Sequence, residues 1–191
     1  MGFSSGFSNP TPTALTYLAE TNLYVNSGSG DDSGAGTISD PLQSLEQALK
    51  NVYGKYKYIV IDSPPSLGLL TINVLTASHS IIIPIQCEYY ALEGLSQLLN
   101  TVHLIQNNLN SKLEIEGILI TMYDSRLNLS NQVVNEVKEY FGDKVFESYI
   151  KRNVKLGEAP SFGKPIILYD ASSTGAQNYM NLVSEILVNN E

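Results

Sequence analysis

The chain has 191 residues, enough for one domain, or one domain with an appendage, around a sizeable core. With 43% hydrophobic residues its composition is globular, and a net charge of -8 excludes a protein that coats nucleic acid with its whole surface while leaving room for a local basic patch. The one cysteine, Cys87, has no partner for an internal disulfide and sits in an apolar run, so it reads as a buried small hydrophobe. That cysteine usage, together with the absence of a signal peptide, predicts a cytoplasmic protein, and no run has the length of a transmembrane helix.

Residues 1–41 differ from everything after them: they are rich in Gly, Ser, Thr, Asn and Pro and contain no Lys or Arg. Such a stretch buries little apolar surface and is expected to be irregular or extended, with one short strand at Leu23 to Val25. The loop GSGDDSGAG at Gly28 to Gly36 invites a phosphate-binding reading, but Asp31 and Asp32 repel phosphate and no lysine offsets them. A weak calcium site is the alternative; a solvated acidic loop is preferred.

From Pro41 the pattern becomes helical, with Leu42, Leu45, Ala48, Leu49 and Val52 on one face and Asp40 as N-terminal cap. The domain is therefore drawn at residues 42–191. Next comes YIVIDSPPSLGLLT, Tyr58 to Thr71, a buried strand that ends in Asp62 and is stopped by Pro64 and Pro65. A carboxylate at the carboxyl end of such a strand is the Walker B arrangement, which holds the magnesium of a nucleotide; the plainer reading is a turn residue capping the next helix. The remaining elements follow in alternation. They are a helix at Leu67 to Ala77, a strand at Ser80 to Ile85 closed by Pro84, a helix at Ala91 to Asn108, a strand at Ile115 to Met122, a helix at Asn131 to Phe141, a short strand at Val145 to Ile150, an apolar segment at Ile166 to Tyr169 and a helix at Ala176 to Val188. This alternation predicts an α/β fold, a mostly parallel sheet with helices on both faces and right-handed crossovers. His79 and His103, in a turn and on a helix, match no catalytic pattern and read as structural.

Four stretches, YIVIDSPPSLGLLTINVLTAS, IPIQCEYYALEGLSQLL, EGILITMYDSRLNLS and RNVKLGEAPSFGKPIILYD, strongly resemble the ParA/Soj branch of the deviant-Walker ATPases (MinD/ParA superfamily), the chromosome and plasmid partition proteins. The resemblance implies a P-loop NTPase-like fold, with ATP and magnesium as cofactors and with non-specific DNA and a ParB-like protein as partners. It makes Asp62 the Walker B metal ligand and places Pro64, Pro65, Ser66 and Gly68 in the switch II loop. Met122, Asp124, Arg152 and Asn153 fall where the family lines its adenine pocket. Arg126 and Lys155 match positions of sequence-independent DNA contact, where point charges neutralise phosphates; without the resemblance they read as solvated surface charges. Asn22 to Leu49 also resembles, over a short stretch, the opening of β-helix proteins of the pectate-lyase and tail-spike kind.

Departures matter as much. The family's KGGxGKT phosphate loop is missing from this sequence: Gly54-Lys55 is followed by Tyr56 and Gly163-Lys164 by Pro165. The switch I segment is missing too, Lys151 stands where the family has Pro, and Ala171 to Thr174 lacks the family's arginines. The expectation is a truncated or recombined partition ATPase, catalytically incomplete on its own, with either self-association or a strand at Leu23 to Val25 covering the sheet edge that a lost strand leaves bare. The two other readings are a non-catalytic module that docks on a ParA-like partner or on DNA, and a tail-spike capping fragment fused to a leftover domain.

Overall fold

The computed structural model of the chain describes residues 13–16, 22–25, 45–52, 54–63 and 68–190. The chain divides into two units, Met1–Ala77 and Ser78–Glu191.

In the first unit, β1 (Thr13–Thr16) and β2 (Asn22–Val25) pair antiparallel, with Leu15 opposite Leu23. The strand expected at Leu23 to Val25 is therefore present, but its partner is β1, which lies in a stretch expected to be irregular. A β-helix stacks parallel coils, so an antiparallel pair does not fit the tail-spike reading. Helix α1 (Leu45–Val52) buries Leu49 and Val52 against Tyr56, Ile59, Ile61 and Ala77. The expected cap at Asp40 and Pro41 lies outside the described residues. Helix α2 (Leu69–Ala77) buries Thr71 and Leu75, one turn apart.

The stretch Tyr58–Ser63 corrects the sequence reading. It carries the exposure pattern of a strand, with Ile59 and Ile61 half-buried while Tyr58, Val60 and Asp62 are exposed, yet it forms no ladder. A strand exists by pairing, and among the described residues no strand lies beside this one. Val60 is 75% exposed as a result, where a fully buried strand was expected.

The second unit is built on β3 (Ser80–Gln86) and β4 (Glu114–Thr121), which run parallel with Ile83 opposite Ile118 and Ile85 opposite Ile120. Glu116 is the extra residue where the register shifts between Ile81 and Ile82. The connection is α3 (Ala91–Asn108), and α4 (Asn128–Phe141) follows β4. Strand periodicity then sorts the core into two layers. Ile118 and Ile120 pack with Ile83, Ile85, Cys87, Leu95 of α3 and Val133, Val134 and Val137 of α4. Leu119, between them, points the other way and packs with Phe146, Ile150 and Leu182 of the last helix, α7 (Thr174–Asn189), where α5 (Val154–Glu158) and α6 (Ile166–Tyr169) intervene. Helices thus cover both faces of β4, as the alternation predicted.

Gly117 marks the tightest approach in this layer: a Cβ there would lie 2.5 Å from the Phe146 ring. Any side chain at Gly117 would displace a buried aromatic.

Two expected boundaries fail for physical reasons. Pro84 does not close β3, which runs through it to Gln86. The Cys87 amide donates to Thr121 O at 3.1 Å, so by alternation the missing N–H of Pro84 faces away from β4 and costs the ladder nothing. Val145 to Ile150 is no continuous strand: it touches β4 through the bridge of Ile118 to Val145 and the Phe146 and Ile150 amides, which donate to Ile118 O and Ile120 O, and a second isolated bridge joins Tyr123 to Lys151 just beyond it. Between the Phe146 and Ile150 amides, the consecutive amides of Glu147 and Ser148 both donate to the Glu185 carboxylate of α7, at 2.7 and 3.0 Å, which interrupts the ladder. The apolar segment Ile166 to Tyr169 is helical because Pro165, with φ -65, opens a turn whose carbonyl accepts from Leu168 and Tyr169.

Candidate functional site

The carboxyl ends of β3 and β4 are tied side by side, Thr121 Oγ1 donating to Ile85 O at 3.1 Å. Ligands of open parallel sheets bind at this end. Met122 follows β4 with φ 54, a left-handed backbone that a non-glycine residue adopts at a cost, and its side chain is exposed. The Tyr123 amide then donates to Ile150 O at 3.1 Å, and the Arg152 amide to Tyr123 O at 3.0 Å. These two bonds bring Met122 and Asp124 on one segment and Arg152 and Asn153 on another, distant in sequence, to one edge. Tyr123 is pinned further by its hydroxyl on Asn131 Oδ1 at 3.0 Å and by the edge of the Tyr149 ring.

The side chains are already engaged. Asp124 Oδ1 accepts from the Arg126 amide at 3.0 Å and from Arg126 Nε at 2.9 Å, and Oδ2 accepts from Nη2 at 2.7 Å. This is a bidentate fork closed within three residues. The Arg126 hydrogen bonds hold the Asp124 carboxyl down at about 2, against an ordinary value of 3.8. Because the folded value is depressed, the stabilisation is present above the ordinary value and is lost only as pH falls through about 2. A carboxyl-resolved NMR titration should therefore give Asp124 a midpoint near 2, and a midpoint near 3.8 would show that the fork is not held in solution.

Arg152 reaches Glu88, just past β3, at 3.7 Å, a loose exposed pair. Asn153 caps α5, its Oδ1 accepting from the Lys155 amide at 2.8 Å. Lys155 Nζ donates to Glu158 Oε2 at 2.9 Å, the same oxygen accepts from Tyr169 OH at 2.9 Å, and the ammonium lies 5.7 Å from the centre of the Tyr169 ring. The Lys155 hydrogen bond, with that of Tyr169 behind it, lowers the Glu158 carboxyl, and Glu158 in turn raises Lys155. Phe162 stacks on Tyr169 at 5.1 Å and completes a knot joining α5 to α6. Glu88, Glu158 and Tyr169 are the participants that sequence reasoning missed; the spacing of Lys155 and Glu158, one helical turn, was the available signal.

The residues assigned to metal and switch belong to the first unit. Asp62 is exposed at the end of Tyr58–Ser63. Gly68 is exposed and its carbonyl accepts from Ile72 as α2 begins, while Pro64, Pro65 and Ser66 lie outside the described residues. Among the described residues no three His, Cys, Asp or Glu side chains gather as a metal site. Within the second unit, the groups left for a nucleotide at this edge are an exposed Met122 and the half-engaged Arg152, because Asp124 has spent both oxygens on Arg126; the sequence holds no KGGxGKT cradle of lysine and amides for phosphate. These second-unit groups do not by themselves fit a triphosphate. Burial pushes the Cys87 thiol up, as expected of an inert core cysteine, and both histidines are exposed. No helix among the described residues is long and apolar enough to cross a membrane.

A parallel sheet sheathed by helices, with polar residues gathered at its carboxyl end, defines a P-loop NTPase-like fold. A solved structure of this kind, cobyrinic acid a,c-diamide synthase from Mycobacterium smegmatis with bound ADP and magnesium, matches with a TM-score of 0.61 at 34% identity, over 75% of this chain and 51% of that one. A family model described as an AAA domain, AAA_31, matches residues 32–115, beginning before the boundary expected at residue 42. The sporulation initiation inhibitor protein Soj of Bacillus subtilis is 63% identical over 153 residues, 80% of this chain and 60% of that protein. The chromosome-partitioning ATPase Soj of Treponema pallidum is 50% identical over 170 residues, 87% of this chain and 67% of that protein. The chain belongs to the ParA/Soj family of partition ATPases. It spans half to two thirds of the length of the curated relatives it matches.

Proposed function

We propose that this chain acts in chromosome or plasmid partition in the cytoplasm, carrying the Walker B, switch II and DNA-facing parts of a ParA/Soj ATPase, and that by itself it does not turn over ATP. The observation that carries the reading is 63% identity to the Soj protein of Bacillus subtilis over 153 residues, 80% of this chain. Asp62 is the magnesium ligand and Gly68 part of the switch that answers to it. Met122, Arg152 and Asn153 border the adenine side, and a ParB-like protein and a second copy are the protein partners. Among the described residues β3 pairs on one side only, which is the edge a second copy would cover.

DNA is the partner with the plainest assay. Arg126 is 86% exposed at the side chain, a cation that a phosphate can reach. Arg126→Ala is expected to weaken binding to a mixed-sequence duplex uniformly across sequences and to reduce the salt slope by about one. Lys155→Ala should weaken binding too, but with loss of thermal stability, since Lys155 also holds the Glu158 knot. Absence of any binding at low salt would remove DNA from the reading.

A further inference from the structure

Asp124 and Arg126 were assigned to two different surfaces, one for nucleotide and one for DNA, and the structure makes them a single fork. We propose that Asp124 is a restraining counter-ion for Arg126: it occupies the guanidinium with a carboxylate that a DNA phosphate must displace, and so sets the strength and salt dependence of DNA binding. The inference rests on the reading that Arg126 faces DNA.

Three observations carry it. The geometry is that of phosphate recognition, because Nε and Nη2 donate in parallel to the two oxygens at 2.9 and 2.7 Å, the arrangement an Arg fork makes with carboxylate or phosphate alike. The two partners differ in exposure: the Asp124 side chain is 14% exposed and the Arg126 side chain 86%. The carboxylate is also fixed from behind, since Oδ1 accepts the Arg126 amide and the Asp124 carbonyl accepts from Leu127 at 3.0 Å. A fixed acceptor thus holds an exposed fork, and an exposed pair is weak enough for a phosphate to exchange with it. The second candidate cation does not offer this exchange. The carboxylate on Lys155 is shared with Tyr169, so its removal would loosen α5 and α6 as well as free a charge.

The test is fluorescence anisotropy of a labelled mixed-sequence duplex against the 191-residue chain at about 50 and 200 mM salt. Asp124→Asn keeps an oxygen for the Arg126 amide and removes the charge; Asp124→Ser is the second variant should Asn alter the turn, and thermal melts check both. Asp143→Asn, beside Glu114 at the opposite end of β4, removes the same unit of charge away from Arg126 and controls for net charge. Asp124→Asn is expected to bind about two- to fivefold more tightly at low salt. Its salt slope should steepen by up to about 0.9, Asp143→Asn should stay near wild type, and the gain should vanish when Arg126→Ala is added. Binding by Asp124→Asn that equals or falls below wild type, or an equal gain in Asp143→Asn, overturns the proposal while leaving DNA binding through Arg126 intact. Wild-type affinity unchanged by Arg126→Ala overturns the underlying reading instead. If the wild type binds too weakly to measure, binding that emerges in Asp124→Asn supports the proposal, and none in either overturns it.

Discussion

Ile118→Ala is expected to lower the unfolding free energy by about 2–5 kcal/mol. Ile118 is fully buried at the middle of β4, opposite Ile83, and its carbonyl accepts from Phe146 at 3.0 Å. The side chain packs in the cluster shared by β3, α3 and α4, so the cavity left by truncation is walled by three elements, none of which can move in without disturbing the others. Ile82, one register position away, is 40% exposed, and Ile82→Ala should cost much less. Urea unfolding is the measurement. A lower midpoint at unchanged m would be a pure stability loss, and a loss under about 1 kcal/mol would show that the site collapses or that the layer is not packed as described.

Glu185→Ala is expected to cost about 1–3 kcal/mol, by a different route. One carboxylate takes the amides of both Glu147 and Ser148, so α7 holds the segment between its two bonds to β4, from the Phe146 and Ile150 amides. Truncation leaves the part-buried Ser148 amide without its acceptor and releases the segment that carries Ile150 and, two residues on, Arg152. Glu185→Gln keeps one acceptor oxygen and should fall between wild type and alanine. Hydrogen exchange at Ser148 reports the effect directly: faster exchange is expected in Glu185→Ala, and unchanged protection would mean that the carboxylate is not what holds the segment.

These two residues also show what was legible in the sequence. Ile118 lies in a run whose apolar character and length define a strand, and β4, like α3, falls within a residue of its expected bounds. Periodicity reports faithfully wherever a segment's partners come from the chain around it. Tyr58–Ser63 has the strand pattern and no ladder, because alternation records which face is apolar and not whether a neighbour is present. Val145 to Ile150 looks like a strand until Glu185, far along the chain, takes two of its amides. In the candidate site, Met122, Asp124, Arg152 and Asn153 lie at one edge, where the Tyr123 carbonyl accepts from the Arg152 amide; the resemblance named these positions. It did not reveal that Asp124 is committed to Arg126 or Lys155 to Glu158. Those bonds depend on turn geometry after β4 and on the cap of α5, which a motif match does not encode.

The account is tested most directly by ATP turnover. The magnesium ligand proposed at Asp62 would be one part of an ATPase site, and phosphoryl transfer needs a positioned, charge-neutralised triphosphate as well. The purified 191-residue chain with ATP and magnesium is therefore predicted to release phosphate no faster than Asp62→Ala. Magnesium-dependent turnover that disappears in Asp62→Ala would contradict the account and make the chain an ATPase in its own right.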